Sequence, residues 1–281
     1  MARYLTLRTA ADVERRLEAG RGRGHGKGYL PWFYVHEVPS RGRSHKVYGL
    51  VSGGRQHHLL SDLEWYCLVA LEFIKGVLDI REQFPILPYG STVPVAQTLG
   101  IRHPIYAKGV PRILTSDFCV DLPNLQASNG VEEVTIACKY KKDIQVARTR
   151  ELLHLECVTN QALGRRWYLV DEDSFPRTFR RNLFWLRQGA FAPPELTSSL
   201  ILDEFTETFL ATYDPGAPLI DLLNLSAVKM RMTFDQVAWQ FKFAAWNHLI
   251  EVDVFEPIGF LNRVALNRGQ HHALSIIPVA A

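Results

Sequence analysis

The 281-residue sequence has only four cysteines and three methionines. It has no CxxC pair, no internal repeat, no low-complexity tract, and no apolar run near the roughly eighteen residues that span a bilayer. Each absence excludes something. Without paired cysteines there is no zinc ribbon and no disulfide framework, so Cys67, Cys119, Cys138 and Cys157, set singly in hydrophobic or element-like segments, read as reduced core thiols. Without an apolar block behind Arg3 and Arg8 the start does not read as a signal peptide, and the expectation is a soluble, cytoplasmic protein with no membrane partner. Net charge is small as well, at +3, but it is unevenly spread. Residues 1–60 carry eleven Lys/Arg against four Asp/Glu, and the remaining 221 carry 21 against 25, so any polyanion-facing surface should be N-terminal.

What is present is 47% hydrophobic content, enough to bury a sizeable core. We expect two domains, residues 1–171 and 172–281, divided after the acidic Asp171-Glu172-Asp173 and before Pro176. In the N-terminal part, residues 10–19 have the spacing of a short amphipathic helix, and residues 31–50 are strand-like around a Pro39 to Gly42 turn. Ser61 reads as the N-cap of a helix that runs, apolar almost all round, to Lys75 before Gly76 stops it. Val77–Ile80 reads as a short strand. Residues 112–121 alternate, with Thr115, Asp117, Cys119 and Asp121 on one face. A strand at 131–139, a helix at 144–163 and a strand from Trp167 to Val170 complete a mixed sheet flanked by helices, an α/β class. Beyond 171, helices near 175–188, 195–212 and 218–229 precede one capped by Thr233, and Leu249–Phe255 with Gly259–Leu266 resembles a two-stranded wing.

The chemistry sits in three residues. Glu64 lies one turn into the apolar helix, Asp117 on the alternating strand, and Lys139 on the next strand, on the same face as Ala137. Two carboxylates and an ammonium are the set that metal-assisted phosphodiester hydrolysis needs: oxygen ligands for a hard divalent cation, and a cation to offset developing charge. Ordinary readings stand beside this one. Ser61 and Glu64 have the S-x-x-E spacing of a capping box, Asp117 suits an ion pair with a nearby Arg, and Lys139 opens Lys139-Tyr140-Lys141-Lys142, a run typical of a solvated corner. Gly20–Gly28 interleaves Arg21, Arg23, His25 and Lys27 with five glycines, a flexible basic loop suited to a phosphate backbone. His57 and His58 are further candidate DNA contacts. Neither His57-His58 nor His271-His272 has zinc-ligand spacing.

The stretches His57-His58-Leu59-Leu60-Ser61-Asp62-Leu63-Glu64 and Asp79-Ile80-Arg81-Glu82-Gln83-Phe84-Pro85 resemble the TnsA family, the endonuclease subunits of heteromeric cut-and-paste transposons. The resemblance covers most of residues 10–171 and implies a restriction-endonuclease-like fold with the PD-(D/E)xK pattern. Glu64, Asp117 and Lys139 then take the acidic, Asp and Lys positions, with Glu64 and Asp117 as ligands of Mg²⁺, for which Mn²⁺ would substitute. One position departs from the pattern: Ala137 stands where the family has a Gln or a carboxylate two residues before the Lys. Glu156, on the following helix, is a candidate replacement ligand.

The same resemblance implies cleavage at the 5′ ends of a transposon, with a TnsB-like DDE transposase and a TnsC-like AAA+ ATPase as partners. The ATPase would dock on the winged-helix-like C-terminal domain, which carries nine Lys/Arg against twelve Asp/Glu and is not basic enough for a typical DNA reader. Two alternatives stay open. One is a catalytically impaired assembly subunit bridging DNA and its partners, and the other is a stand-alone restriction or repair nuclease of the same fold.

Overall fold

The computed structural model describes residues 7, 9–39, 42–127 and 129–267. The chain divides into two compact units. Among the described residues, the first is formed up to Glu72 and by Gly76–Ser174, and the second by Phe73–Lys75 and residues 175–267. Among the described residues no helix is long and apolar enough to cross a membrane. His271 and His272 lie outside the described residues.

The elements up to Ser174 follow the order α1 (Ala10–Glu18), β1 (His45–Tyr48), β2 (Gln56–Leu59), α2 (Asp62–Phe73), β3 (Asp79–Pro85), α3 (Thr92–Thr98), β4 (Thr115–Pro123), β5 (Val131–Cys138), α4 (Lys141–Ile144), α5 (Ala147–Ala162) and β6 (Arg166–Val170). The main sheet has the order β3-β4-β5-β6. Its first two pairings are antiparallel and the β5–β6 pairing is parallel. A parallel neighbour needs a crossover, and α5 supplies it. Helix α1 begins with a reciprocal cap: Asp12 N donates to Thr9 Oγ1 at 3.2 Å and Thr9 N to Asp12 Oδ2 at 3.0 Å. Helix α2 is apolar all round because it is enclosed, with Leu63, Cys67, Leu68, Ala70 and Leu71 all buried.

Two expectations for this unit need correcting. Residues 31–38 are not a strand: Trp32 N donates to Gln83 O at 3.1 Å, and a turn closes from Glu37 N to Tyr34 O at 2.9 Å. Among the described residues of the segment 31–50, only His45–Tyr48 joins a ladder, paired with β2. Strand β3 is longer than its apolar start announces and extends through Arg81, Glu82 and Gln83, with all seven of its residues buried. The free cysteines Cys67, Cys119 and Cys138 are buried and Cys157 is half-buried, as expected of core thiols.

The second unit holds α6 (Arg177–Arg187), α7 (Ser199–Thr212), α8 (Leu219–Met230) and α9 (Phe234–Trp246). Thr233 caps α9, reciprocated by Gln236. Where a two-stranded wing was expected, Val252 and Leu266 form an isolated antiparallel bridge. The start of α8 draws away the rest of the second segment: Leu219 N donates to Asn262 O and Ile220 N to Phe260 O, both at 2.8 Å. The first N–H groups of a helix lack partners of their own, and these carbonyls satisfy them. Buried Asn182 ties down the other segment, donating to Val254 O and Glu256 O and accepting from Ile258 N. Of the aromatic residues on α9, Phe241 and Trp246 are buried, while Phe234, Trp239 and Phe243 are half-buried.

Candidate active site

The first unit contains a cavity of about 720 Å³ whose lining includes Gln83, Asp117, Lys139 and Glu156. Strands β3 and β4, helices α4 and α5, and Lys139 just past the end of β5 each contribute to it. The β4–β5 register pairs Phe118 with Ile136, so one step further Asp117 stands opposite Ala137. Asp117 Oδ2 accepts from Cys138 N at 2.6 Å and from Lys139 Nζ at 2.9 Å. Burial disfavours the ammonium of Lys139, but the charge and hydrogen bond of Asp117 outweigh it and hold the lysine above its ordinary range.

Glu64 folds back on the start of its helix and also feels the charge of Asp117. Its Oε2 accepts from Leu60 N at 2.9 Å, and its Oε1 from Ser61 Oγ at 3.0 Å, while Glu64 N donates to Ser61 Oγ at 3.1 Å. The capping relation visible in the sequence is therefore present. Gln83 Nε2 adds a further bond to Oε2 at 2.9 Å. Burial, then the negative charge of Asp117, pushes Glu64 up to about 8. Glu156 behaves alike: it accepts from Trp167 Nε1 at 3.0 Å, yet burial and then Asp117 raise it to about 7. The structure thus crowds three buried carboxyl groups around one lysine, and the crowding adds to burial in raising two of them.

A donor set made only of carboxylate oxygens suits a hard divalent cation, which would offset both the burial and the charge of Asp117 that raise Glu64 and Glu156. The three acids do not yet form a tight cage. Among the described residues, the sets of three His, Cys or carboxylate ligand atoms within 4.8 Å of one another are His25–Asp79–Asp121 and Cys119–Asp121–Glu133. Those acids already have partners: Asp121 is bonded by Arg81 and His25, and Glu133 by Arg81 at 2.8 Å and Arg165 at 2.6 Å.

The other candidates fall into two groups. Arg23 and Lys27 are exposed, whereas Arg21 is half-buried, its guanidinium 4.0 Å from the centre of the Tyr34 ring and bonded to Pro31 O. The glycine loop is also more built than its composition suggests. Gly22 has φ +76° and lies so close to Pro85 that a Cβ would meet it at 2.1 Å, and a Cβ on Gly24, at φ +89°, would meet Gly28 O at 2.6 Å.

The expectation that His57 and His58 touch DNA is corrected by their burial. His57 has no exposed surface, and its Nδ1 bonds Glu82 Oε2 at 2.9 Å. Arg55 grips the same carboxylate with Nη1 at 2.8 and 2.6 Å. His58 packs on Tyr34 with ring centroids 4.5 Å apart, and burial pulls it down to about 4, so it is neutral near pH 7. Sequence reasoning missed two residues here, Glu82 as a buried counter-ion and Gln83 beside Glu64. The one available signal was a run of charged and amide residues inside a segment flanked by apolar ones.

No family model matches the chain. A curated relative does: the Escherichia coli transposon Tn7 transposition protein TnsA is 40% identical over 186 residues, 66% of this chain and 66% of that protein. The chain belongs to the TnsA family. The match spans about two thirds of that relative's length.

Proposed function

We propose that this protein is a metal-dependent DNA endonuclease that cuts at the 5′ ends of a transposon, working with a TnsB-like DDE transposase and a TnsC-like AAA+ regulator. The observation that carries the reading is the Asp117–Lys139 contact at 2.9 Å, on a cavity shared with Glu156 and beside Glu64. Asp117 and Glu64, with Glu156 in reach of the same charge, would hold Mg²⁺ or Mn²⁺. The cation would supply Lewis-acid polarisation of a phosphoryl oxygen and a more acidic water. Lys139, held cationic by Asp117, steadies negative charge that develops on the phosphate. Arg23 and Lys27 give an exposed basic surface for the DNA backbone. The second unit is read as a winged-helix-like module that docks the regulator, supported by its acidic balance and half-buried aromatics on α9.

A second reading, a catalytically impaired assembly subunit, is favoured by one observation. Ala137 stands opposite Asp117, where it offers no ligand atom. One experiment separates the two. Nicking of transposon-end DNA in Mg²⁺ or Mn²⁺ is measured for the protein as it stands, for Ala137→Gln, and for Ala137→Gln combined with Asp117→Ala, each with and without the transposase and regulator. Cleavage by the unaltered protein with its partners, lost when Asp117→Ala is present, supports the nuclease, whereas cleavage that appears only with Ala137→Gln supports the impaired subunit. No cleavage by any of them, with partners present, favours the assembly subunit, and equal cleavage without partners favours a stand-alone nuclease.

A further inference from the structure

Gln83 is the least ordinary residue of the main sheet. It lies in the middle of β3, and its neighbours Glu82 and Phe84 pair in continuous register with Phe118 and Ser116 of β4, which sets Gln83 opposite Asp117. Yet its own φ is +48°, in the left-handed region that a side chain other than glycine's avoids. Its carbonyl has left the ladder to accept from Trp32 N at 3.1 Å. Its side chain is 1% exposed, and its Nε2 donates to Glu64 Oε2 at 2.9 Å. Backbone strain of this kind persists only where the surroundings enforce it. Glycine would remove the strain but also the amide.

The register makes the arrangement more specific. Gln83, Asp117 and Ala137 occupy one row across β3, β4 and β5, so Asp117 has an amide-bearing residue on one side and a methyl group on the other. The amide is tied to the acid that the sheet itself does not carry, Glu64 of α2. Glu64 has two further donors, Leu60 N and Ser61 Oγ, and both belong to its own helix start. Gln83 donates to Glu64 from a different element, and it also lines the cavity.

We propose that Gln83 is a positioning residue, whose amide, bonded to the same Oε2 that accepts Leu60 N, fixes the capping carboxylate of Glu64 so that it and Asp117 can share one divalent cation. This rests on the reading of the site as a metal-dependent nuclease. It assigns a purpose to the left-handed residue: the twist at residue 83 carries the amide off the regular strand path and onto Glu64.

The test reads metal binding directly, since cleavage is confounded by Ala137. Mn²⁺ affinity of the full chain is measured by electron paramagnetic resonance of the free ion, together with melting temperature. The proteins compared are the unaltered chain, Asp117→Ala, Gln83→Leu, Glu64→Ala, and the Glu64→Ala, Gln83→Leu pair. Leucine keeps most of the packing volume and removes the amide. The expected result is Mn²⁺ binding that Asp117→Ala abolishes and Gln83→Leu weakens about tenfold or more, with no further loss from Gln83→Leu once Glu64 is absent. Should Gln83→Leu fail to fold, Gln83→Gly, which accepts the positive φ without strain, takes its place with the same expectation. Binding by Gln83→Leu or Gln83→Gly equal to that of the unaltered chain overturns the inference and leaves the nuclease reading intact. Equal losses in the presence and absence of Glu64 also overturn it, because they would mean that Gln83 acts through packing. No binding by the unaltered chain, at millimolar Mn²⁺, overturns both.

Discussion

Asp117 and Lys139 meet through one oxygen, Asp117 Oδ2, which also accepts the N–H of Cys138 at 2.6 Å. The acid therefore fixes the end of β5 as well as the lysine. Replacing it by alanine leaves a buried backbone donor without its acceptor and reduces the lysine ammonium to its bond with Cys138 O at 3.0 Å. An orphaned buried donor costs about 1–3 kcal/mol, and the share due to Lys139 falls at the low end because its side chain is 35% exposed.

Asp117→Asn keeps an oxygen for the Cys138 N–H and should be the more stable of the two variants, while both lose metal binding. Urea unfolding of the pair checks this. Identical midpoints would show that the acceptor at this position does not hold β5.

Glu156 gives a pH dependence of defined sign. Its folded value, about 7, lies above the ordinary 4.5, so the folded state holds a proton that the unfolded chain has already released. Below pH 4.5 the group contributes nothing. From 4.5 to 7 it destabilises the fold progressively, and above 7 the penalty is constant. Glu156→Gln should therefore match the unaltered chain near pH 4 and exceed it at pH 8, by about 3 kcal/mol. The glutamine keeps an oxygen for Trp167 Nε1. Chemical unfolding at the two pH values is the measurement, and a difference independent of pH would rule out the raised carboxyl as its source.

The elements that were legible in the sequence are those specified locally. Thr233 caps its helix through the residue three positions on, and β4 alternates because one of its faces differs in chemistry from the other. The candidate acids and the lysine were legible through family resemblance, and the capping role of Glu64 through its spacing from Ser61. What escaped was non-local. Glu82 looks like a surface residue in sequence and is wholly buried because Arg55 and His57, 27 and 25 positions away, neutralise it. Trp32 looks like part of a strand and instead donates to the carbonyl on β3 that a left-handed residue turns outward. Nothing in the spacing of Gln83 announces its positive φ.

The Glu82 cluster carries its own prediction. Burial alone would raise this carboxyl, but hydrogen bonds and charge from His57 and Arg55 reverse the effect and hold it near 2. Its stabilising contribution is present above 4.5 and is lost as pH falls toward 2. His57→Ala removes one partner from an acid with no exposure, leaves it Arg55, and should cost about 1–3 kcal/mol, without changing the salt dependence of DNA binding. Thermal unfolding at pH 7 beside a DNA-binding titration checks both halves. A His57→Ala protein of unchanged melting temperature that binds DNA more weakly would restore the surface role that burial denies it.

The basic loop separates structural from electrostatic arginines within three residues. Arg23 and Lys27 are exposed, so each phosphate they neutralise should add about 0.9 to the slope of log affinity against log salt. Replacing both by alanine should lower the magnitude of that slope by about two, uniformly across DNA sequences. Arg21 differs, because its guanidinium lies on the Tyr34 ring at 4.0 Å and donates to Pro31 O at 3.2 Å. Its replacement should cost about 1 kcal/mol of stability and leave the slope unchanged. Fluorescence anisotropy over a salt series, paired with melting temperatures, distinguishes them. If Arg21→Ala flattens the slope as much as the loss of Arg23 does, the stacked arginine faces DNA after all, and the loop reads the backbone along its whole length.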